Sequence, residues 1–137
     1  MRLTKKKDTE KYLYKALNTI KERFGNNKIL LKETSRRLAN ELDELSKCYN
    51  VPPPQLKWFK TSFKGILIKG PVEAVFLCPH HLLPVKIKVI VYLIPKTHTI
   101  GISKISRVIF WAVKRFELQE EITKLIADTL WDENKLR

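Results

Sequence analysis

One short segment, Cys78-Pro79-His80-His81, combines a thiol with two imidazoles and could therefore carry chemistry. Cysteine sulfur and histidine nitrogen are ligands that zinc prefers, and a spacing of three residues allows Cys78 and His81 to bind one ion. A catalytic zinc needs three protein ligands and an open position for water. The segment supplies two of these ligands, or at most three.

Adjacent histidines on an extended backbone point in different directions, so His80 and His81 are expected to have different roles. One would bind the metal, while the other, whose pKa is near neutral, would face a substrate as a general acid or base. A buried cysteine with two loop histidines that make ordinary hydrogen bonds is the alternative. The spacing alone does not decide between the two interpretations.

The chain of 137 residues has a formal net charge of +13, and its length favours one domain. Residues 1–37 contain twelve Lys and Arg against four Asp and Glu, and residues 57–104 contain eight Lys against the single acid Glu73. Such regions attract polyanions, including nucleotide phosphates, although the N-terminal lysines could equally form a solvated surface. Nucleic acid is not the expected partner, because no binding motif is present and aromatic residues do not alternate with the basic runs.

The composition also limits the class of protein. With 44% hydrophobic residues the chain can form a core, and no apolar run approaches the roughly 18 residues needed to span a bilayer. The basic N-terminus is not followed by the apolar stretch of a secretory signal. Two cysteines, Cys48 and Cys78, do not make a disulfide framework, so we expect a cytoplasmic protein with no membrane association.

Helical periodicity predicts two helices in the N-terminal part. Apolar residues recur at helical spacing from Leu13 to Phe24, with Gly25-Asn26-Asn27 as a stop, and again from Leu31 to Tyr49. The second helix is expected to end before Val51-Pro52-Pro53-Pro54, a stiff extended connector.

The period of the pattern changes to two after Leu56. It predicts strands over Phe63–Ile68, Val72–Leu77 and Val85–Leu93, with Gly70-Pro71 as a turn between the first two.

Helical spacing returns after Gly101, with Ser103 as the expected N-cap, and a second stripe from Ile122 to Leu130 precedes a polar tail over residues 132–137. The order ααβββαα predicts an α+β fold with an antiparallel sheet. We expect an N-terminal helical region over residues 1–54 and a catalytic-type domain over residues 55–137, which together form one compact unit.

Three motifs give the chain a family resemblance. The run Cys78-Pro79-His80-His81-Leu82-Leu83-Pro84 resembles the Cys-Glu-His-His-Leu-x-Pro signature of GTP cyclohydrolase I. Residues 101–107, Gly-Ile-Ser-Lys-Ile-Ser-Arg, are similar to that family's Gly-Leu-Ser-Lys-Leu-Ala-Arg. Residues 118–127, Leu-Gln-Glu-Glu-Ile-Thr-Lys-Leu-Ile-Ala, are similar to its Val-Gln-Glu-Arg-Leu-Thr-x-Gln-Ile-Ala. The common order of the three motifs makes the resemblance specific.

The resemblance implies the tunnelling fold (T-fold), in which antiparallel strands and paired helices surround a multi-subunit β-barrel. It also implies a homo-oligomer with active sites between subunits. The implied enzyme is a zinc hydrolase that opens the purine imidazole ring of GTP, which yields formate and 7,8-dihydroneopterin triphosphate. That product begins folate, biopterin and 7-deazaguanine biosynthesis.

The resemblance further implies a role for each matching residue. Cys78 and His81 would be zinc ligands, and His80 would be the catalytic histidine next to the purine. The residues that would bind the triphosphate are Ser103, Lys104 and Arg107, and those that would bind guanine are Gln119 and Glu120.

Elementary chemistry agrees with these roles. Lys104 and Arg107 share a helix face near a helix start, where backbone N–H groups favour anions. A carboxylate such as that of Glu120 can accept hydrogen bonds from both N1–H and N2–H of guanine. Taken singly, each of these residues could instead belong to a solvated helix surface.

The sequence also departs from the family pattern. Pro79 stands where the family has Glu, and the sequence ends at Arg137, where the family continues into two strands that carry the third zinc ligand and an arginine for the triphosphate. We therefore expect a short form of the family.

Three explanations of the short form remain open. A second polypeptide could supply the missing strands, or the strands around residues 57–68 and the thiol of Cys48 could replace them. The third is a non-catalytic T-fold protein that binds a purine nucleotide or serves in assembly.

Overall fold

The computed structural model describes residues 6–20 and 27–137 of the chain. Its internal contacts divide the chain into two compact units, Met1–Lys47 and Cys48–Arg137. None of the described helices combines the length and the apolar character needed to cross a bilayer.

The first unit is a pair of packed helices, α1 (Lys6–Thr19) and α2 (Lys28–Lys47). The side chain of Asn27 accepts a hydrogen bond from Leu30 N at 2.9 Å, which caps the start of α2. A short 3₁₀ turn, Cys48–Asn50, follows α2 in the second unit. The predicted Phe24 and the stop at Gly25-Asn26 lie outside the described residues.

The second unit contains four strands: β1 (Trp58–Lys60), β2 (Leu67–Leu77), β3 (Pro84–Leu93) and β4 (His98–Ile100). β2 pairs antiparallel with β3, and β1 pairs antiparallel with β4. The strand predicted over Phe63–Ile68 is wrong in most of its length, because residues 61–66 lie outside the strands.

Gly70-Pro71 lies inside β2, so the predicted turn is wrong as well. Lys69 pairs with Val91 and Val72 with Val89, which gives β2 one extra residue, a β-bulge. Gly70 has φ of 140°, and a Cβ there would lie 2.7 Å from the carbonyl oxygen of Val89, so this position needs glycine. The bulge shifts the half-buried and buried positions of β2 from odd to even residues, and in the sequence this shift resembles a break between two strands.

Two helices, α3 (Ile102–Ala112) and α4 (Gln119–Leu130), pack on each other, and α3 also packs on β2. The N-cap of α3 is Gly101, without a side-chain hydrogen bond, so Ser103 lies within the helix and the predicted N-cap is wrong. The core side chains contributed by these helices are all buried, namely Ile105, Val108, Ile109, Ala112, Ile122, Ile126 and Leu130. The four helices and the antiparallel sheets of the described residues confirm the predicted α+β class and are consistent with the T-fold.

The segment after α4 is not a solvated tail. Leu136 is buried and forms an antiparallel bridge with Pro95, and Arg137 N donates to Ile94 O at 2.9 Å. Lys135 Nζ donates to the carboxylate of Asp132, which holds the pKa of Asp132 below its ordinary value. The segment therefore turns back along the end of β3.

Candidate functional site

The loop between β2 and β3 carries the cysteine and the two histidines. Cys78 N donates to Leu83 O at 3.0 Å, and Leu82 N donates to Cys78 O at 2.8 Å. Leu82 completes the turn with a φ of 55°, a left-handed conformation that a leucine rarely adopts. These contacts close the loop tightly and hold its side chains at the tip of the hairpin.

The three candidate side chains are close together within this loop. Cys78 Sγ lies 3.9 Å from His80 Nδ1, and the ring centroids of His80 and His81 are 6.2 Å apart with 64° between the ring planes. Both histidines are exposed, whereas Cys78 is half-buried. The two imidazoles thus have different orientations, and the one in contact with the thiol is that of His80.

The donor set of the loop fits part of a zinc site. A thiolate and an imidazole from one tight loop suit zinc chemically. Within residues 6–20 and 27–137, however, no three His, Cys, Asp or Glu side chains gather in a way that could hold a metal ion. The loop therefore supplies two of the three protein donors that a catalytic zinc needs.

Cys48, the predicted third ligand, lines a pocket that includes neither Cys78 nor the two histidines of the loop. This pocket of about 280 Å³ lies along α3, and it is also lined by Val51, Arg107, Phe110, Trp111 and Lys114. Among the residues that the structure describes, Cys48 forms no metal-binding group of three with Cys78.

Sequence reasoning did not find this pocket as a unit. Trp111 Nε1 donates to Val51 O at 2.9 Å, and the guanidinium carbon of Arg115 lies 4.0 Å from the centroid of the Trp111 ring, so the indole is fixed on two sides. The spacing of Arg107, Phe110 and Trp111 (i, i+3 and i+4 on one helix face) is the signal that could have indicated it, with Lys114 just after the end of α3.

The predicted triphosphate-binding residues occupy the first two turns of α3. Lys104 N donates to Gly101 O at 2.8 Å and Lys104 is half-buried, whereas Ser103 and Arg107 are exposed. The helix begins without a side-chain cap, so its first backbone N–H groups have no side-chain acceptor from its N-cap residue.

The predicted guanine-binding residues begin α4. Gln119 and Glu120 are both exposed, and the extended Leu118 before them provides no side-chain cap. The carboxylates of Glu120 and Glu121 lie in the first turn, where the helix dipole favours negative charge.

The predicted site residues come from three elements of the second unit: the loop between β2 and β3 (the Cys78 loop), the start of α3 and the start of α4. Residues of β3 and α4 line one groove, and Arg137, soon after the end of α4, bonds to Ile94 at the end of β3. Among the described residues, no hydrogen bond or ion pair joins the Cys78 loop to Ser103, Lys104 or Glu120.

The fold and this site define an α+β protein with a cysteine–histidine loop and two anion-favouring helix starts. The family profile of GTP cyclohydrolase I matches residues 9–137, and the chain belongs to that family, as the sequence motifs predicted. GTP cyclohydrolase 1 of Pyrobaculum neutrophilum is 34% identical over 108 residues, which cover 77% of this chain and 58% of the relative.

Two further relatives give the same result. GTP cyclohydrolase 1 of Hyperthermus butylicus is 35% identical over 100 residues, covering 73% of this chain and 51% of the relative. GTP cyclohydrolase 1 of Coxiella burnetii is 33% identical over 103 residues, which cover 73% of this chain and 56% of the relative. The chain thus spans somewhat more than half the length of these relatives.

Proposed function

We propose that the chain acts as a GTP cyclohydrolase I-type hydrolase, which converts GTP and water to formate and 7,8-dihydroneopterin triphosphate. The observation that carries this proposal is the closed loop at the tip of the β2–β3 hairpin. It presents one thiol and two differently oriented imidazoles in a chain that the family profile matches over residues 9–137. Relatives named GTP cyclohydrolase 1 support the same activity.

In this proposal Cys78 and His81 hold a zinc ion, which when bound supplies a Lewis acid able to activate water. His80 is exposed at the tip of the hairpin, so its imidazole would be accessible to a bound substrate. It would move a proton at the purine ring as that ring opens.

The substrate would be held by the two helix starts. Ser103, Lys104 and Arg107 would bind the triphosphate with one hydroxyl, two positive charges and the free N–H groups at the start of α3. Glu120 would accept hydrogen bonds from N1–H and N2–H of guanine, with Gln119 beside it. A base without these two donors would leave the carboxylate without partners, so the site would reject it.

Within the described part of the chain, no hydrogen bond or ion pair joins the Cys78 loop to the start of α3. We therefore include in the proposal a homo-oligomer, in which the loop of one copy and the α3 start of another face the same GTP. Such an arrangement requires a repeated contact between different surfaces of neighbouring copies, as in a closed ring.

The test is to incubate the purified chain with GTP and zinc and to measure formate and the fluorescence of the oxidised pterin. We expect both products, and about one zinc per chain, as one catalytic site requires. Cys78→Ser should lose zinc and both products. Cys48→Ser should lose them as well only if Cys48 completes the site. Zinc-loaded protein that releases no formate would contradict the proposed activity.

A second candidate function is a T-fold protein that binds a purine nucleotide or serves in assembly without opening the ring. The finding in its favour is that the described residues bring together only two zinc donors. Retained GTP binding in protein without metal and without formate release would favour it over the hydrolase.

A further inference from the structure

The pocket beside α3, with a volume of about 280 Å³, shares only Arg107 with the residues proposed to bind GTP. Its two aromatic side chains, Phe110 and Trp111, and the nearby Lys114 have no part in the proposed hydrolysis. The volume is close to the lower end of the range typical of small-molecule sites, about 300–1,000 Å³. The pocket therefore suits a ligand of one or two fused rings.

The indole of Trp111 is held in place by contacts within the protein. Its Nε1–H donates to Val51 O at 2.9 Å, and the guanidinium carbon of Arg115 lies 4.0 Å from the ring centroid. Arg115 is itself buried and donates to Trp111 O at 2.9 Å. Because these contacts fix the indole, a ligand that packs against it loses little free energy in ordering the site.

Two more apolar side chains border the indole. Phe110 and Val51 line the same pocket and are 47% and 49% exposed. Apolar side chains that remain exposed around a concave surface mark a binding site. Since the Nε1–H of Trp111 is already bonded, the indole offers a ligand its ring and no hydrogen bond. The middle of the pocket therefore favours a flat aromatic ring that contacts both Phe110 and Trp111.

Two positive charges flank these rings along the chain. Arg107 lies one helical turn before Phe110, and Lys114 follows the end of α3 at Ala112. Both cations are exposed, and in the described part of the chain neither makes an ion pair and no Asp or Glu lines the pocket. Guanidinium and ammonium groups both form strong, charge-assisted hydrogen bonds with carboxylates. An acidic group at either end of an aromatic ligand would therefore meet a cation.

We propose that this pocket binds a small planar aromatic dianion. Its ring packs against Phe110 and Trp111, one acidic group pairs with Arg107, and the other pairs with Lys114. The proposal goes beyond the proposed hydrolysis, with which it has only Arg107 in common. Its test measures binding in the absence of GTP, so the failure of one proposal does not decide the other.

The experiment uses the full chain and three probes: naphthalene-2,6-dicarboxylate, naphthalene-2-carboxylate and the neutral naphthalene-2-carboxamide. Calorimetry measures the affinity of each probe, and NMR follows the indole N–H signals of Trp58, Trp111 and Trp131. We expect the affinity to fall in that order, by about fivefold at each step, because each step removes one charge-assisted contact. Only the signal of Trp111 should move, since the other two indoles lie outside the pocket.

Single substitutions provide the control. Lys114→Gln should reduce the affinity for the dicarboxylate to that for the monocarboxylate. Lys124→Gln removes the same charge from an exposed position on α4 and should leave the difference unchanged. Phe110→Ala should weaken the binding of all three probes, because the ligand ring loses one of its two aromatic contacts.

Three results would overturn the proposal. The first is equal affinity of the three probes for the parent protein. The second is a preference for the dicarboxylate that survives Lys114→Gln. The third is a shift of similar size at all three indoles, because the probes would then follow the net charge of +13 instead of a single pocket.

Discussion

The two imidazoles of the hairpin tip differ in surroundings as well as in orientation. His80 Nδ1 is 3.9 Å from the thiol of Cys78, and the plane of the His81 ring is inclined by 64° to that of His80. Substituting one of the two histidines therefore removes one imidazole and leaves the other in its own orientation. This separation makes the proposed roles of the two residues testable one at a time.

We expect His80→Ala to abolish formate release while zinc remains bound, because the proposed ligands Cys78 and His81 are intact. His81→Ala should lose both zinc and formate release. The measurements are metal content by mass spectrometry and formate after incubation with GTP. His98→Ala is the control, since His98 lies in β4 and its imidazole contacts Thr97, so metal content and activity should be unchanged. Full activity of His80→Ala would show that its proposed role is wrong.

The proposed base specificity depends on one carboxylate. Glu120→Gln replaces an acceptor oxygen with a donor, so one of the two hydrogen bonds to guanine is lost and the preference for GTP over ATP should fall at least about tenfold. Equilibrium binding of both nucleotides measures this ratio. Glu121→Gln is a matched control, because it removes the same charge from the same helix turn. Equal affinity of the parent protein for both nucleotides would contradict the guanine assignment.

At the scale of elements, the helices were the most predictable part of the fold. Long stripes at helical spacing predicted α3 and α4, and their buried residues lie on those stripes. β1 and β4 have three residues each, too few to show a period, and no pattern predicted them as a pair. The prediction for Ser103 failed because the chain enters the helix two residues earlier, at Gly101.

The turn after α4 provides a prediction about pH. The contact with Lys135 lowers the pKa of Asp132, so this contact stabilises the turn above the ordinary pKa of Asp132 and is lost as pH falls through the lowered value. Lys96 N donates to Lys135 O at 2.8 Å, and its amide chemical shift should therefore move on acidification. Asp132→Asn should abolish this movement, while Glu133→Gln should retain it. The same titration in Asp132→Asn as in the parent would contradict the assignment.

At the scale of the whole molecule, the sequence predicted which types of residue form the candidate site but not how these residues are arranged in space. The motif around Cys78 is local, so its residues could be grouped from spacing alone. The position of Ser103 relative to the Cys78 loop depends on how α3 packs on α4 and β2, which spacing within a motif cannot reveal. The place of Cys48 beside Trp111 depends on contacts between residues more than sixty positions apart.

The shared site can be tested by complementation. His80→Ala and Arg107→Ala should each be inactive alone, and after the two proteins are dissociated together and reassembled, activity should return. With random assembly, about one quarter of the sites would combine an intact loop with an intact α3 start. Formate release from the mixture measures this. The two variants assembled separately and then mixed are the control, and they should stay inactive. A mixture that regains nothing on reassembly would place both residues in a site within one copy.

The bulge at Gly70-Pro71 has a consequence for how this chain can vary in length. Before the bulge, Leu67 turns toward the core from an odd position, whereas beyond it Ala74 and Phe76 do so from even positions. Removing Pro71, or adding one residue after it, would shift the register of the second half of β2 by one residue. Glu73 and Val75 would then face the helices, and Phe76 would face water. Replacement of side chains along β2 should therefore be tolerated far more often than a single-residue deletion or insertion.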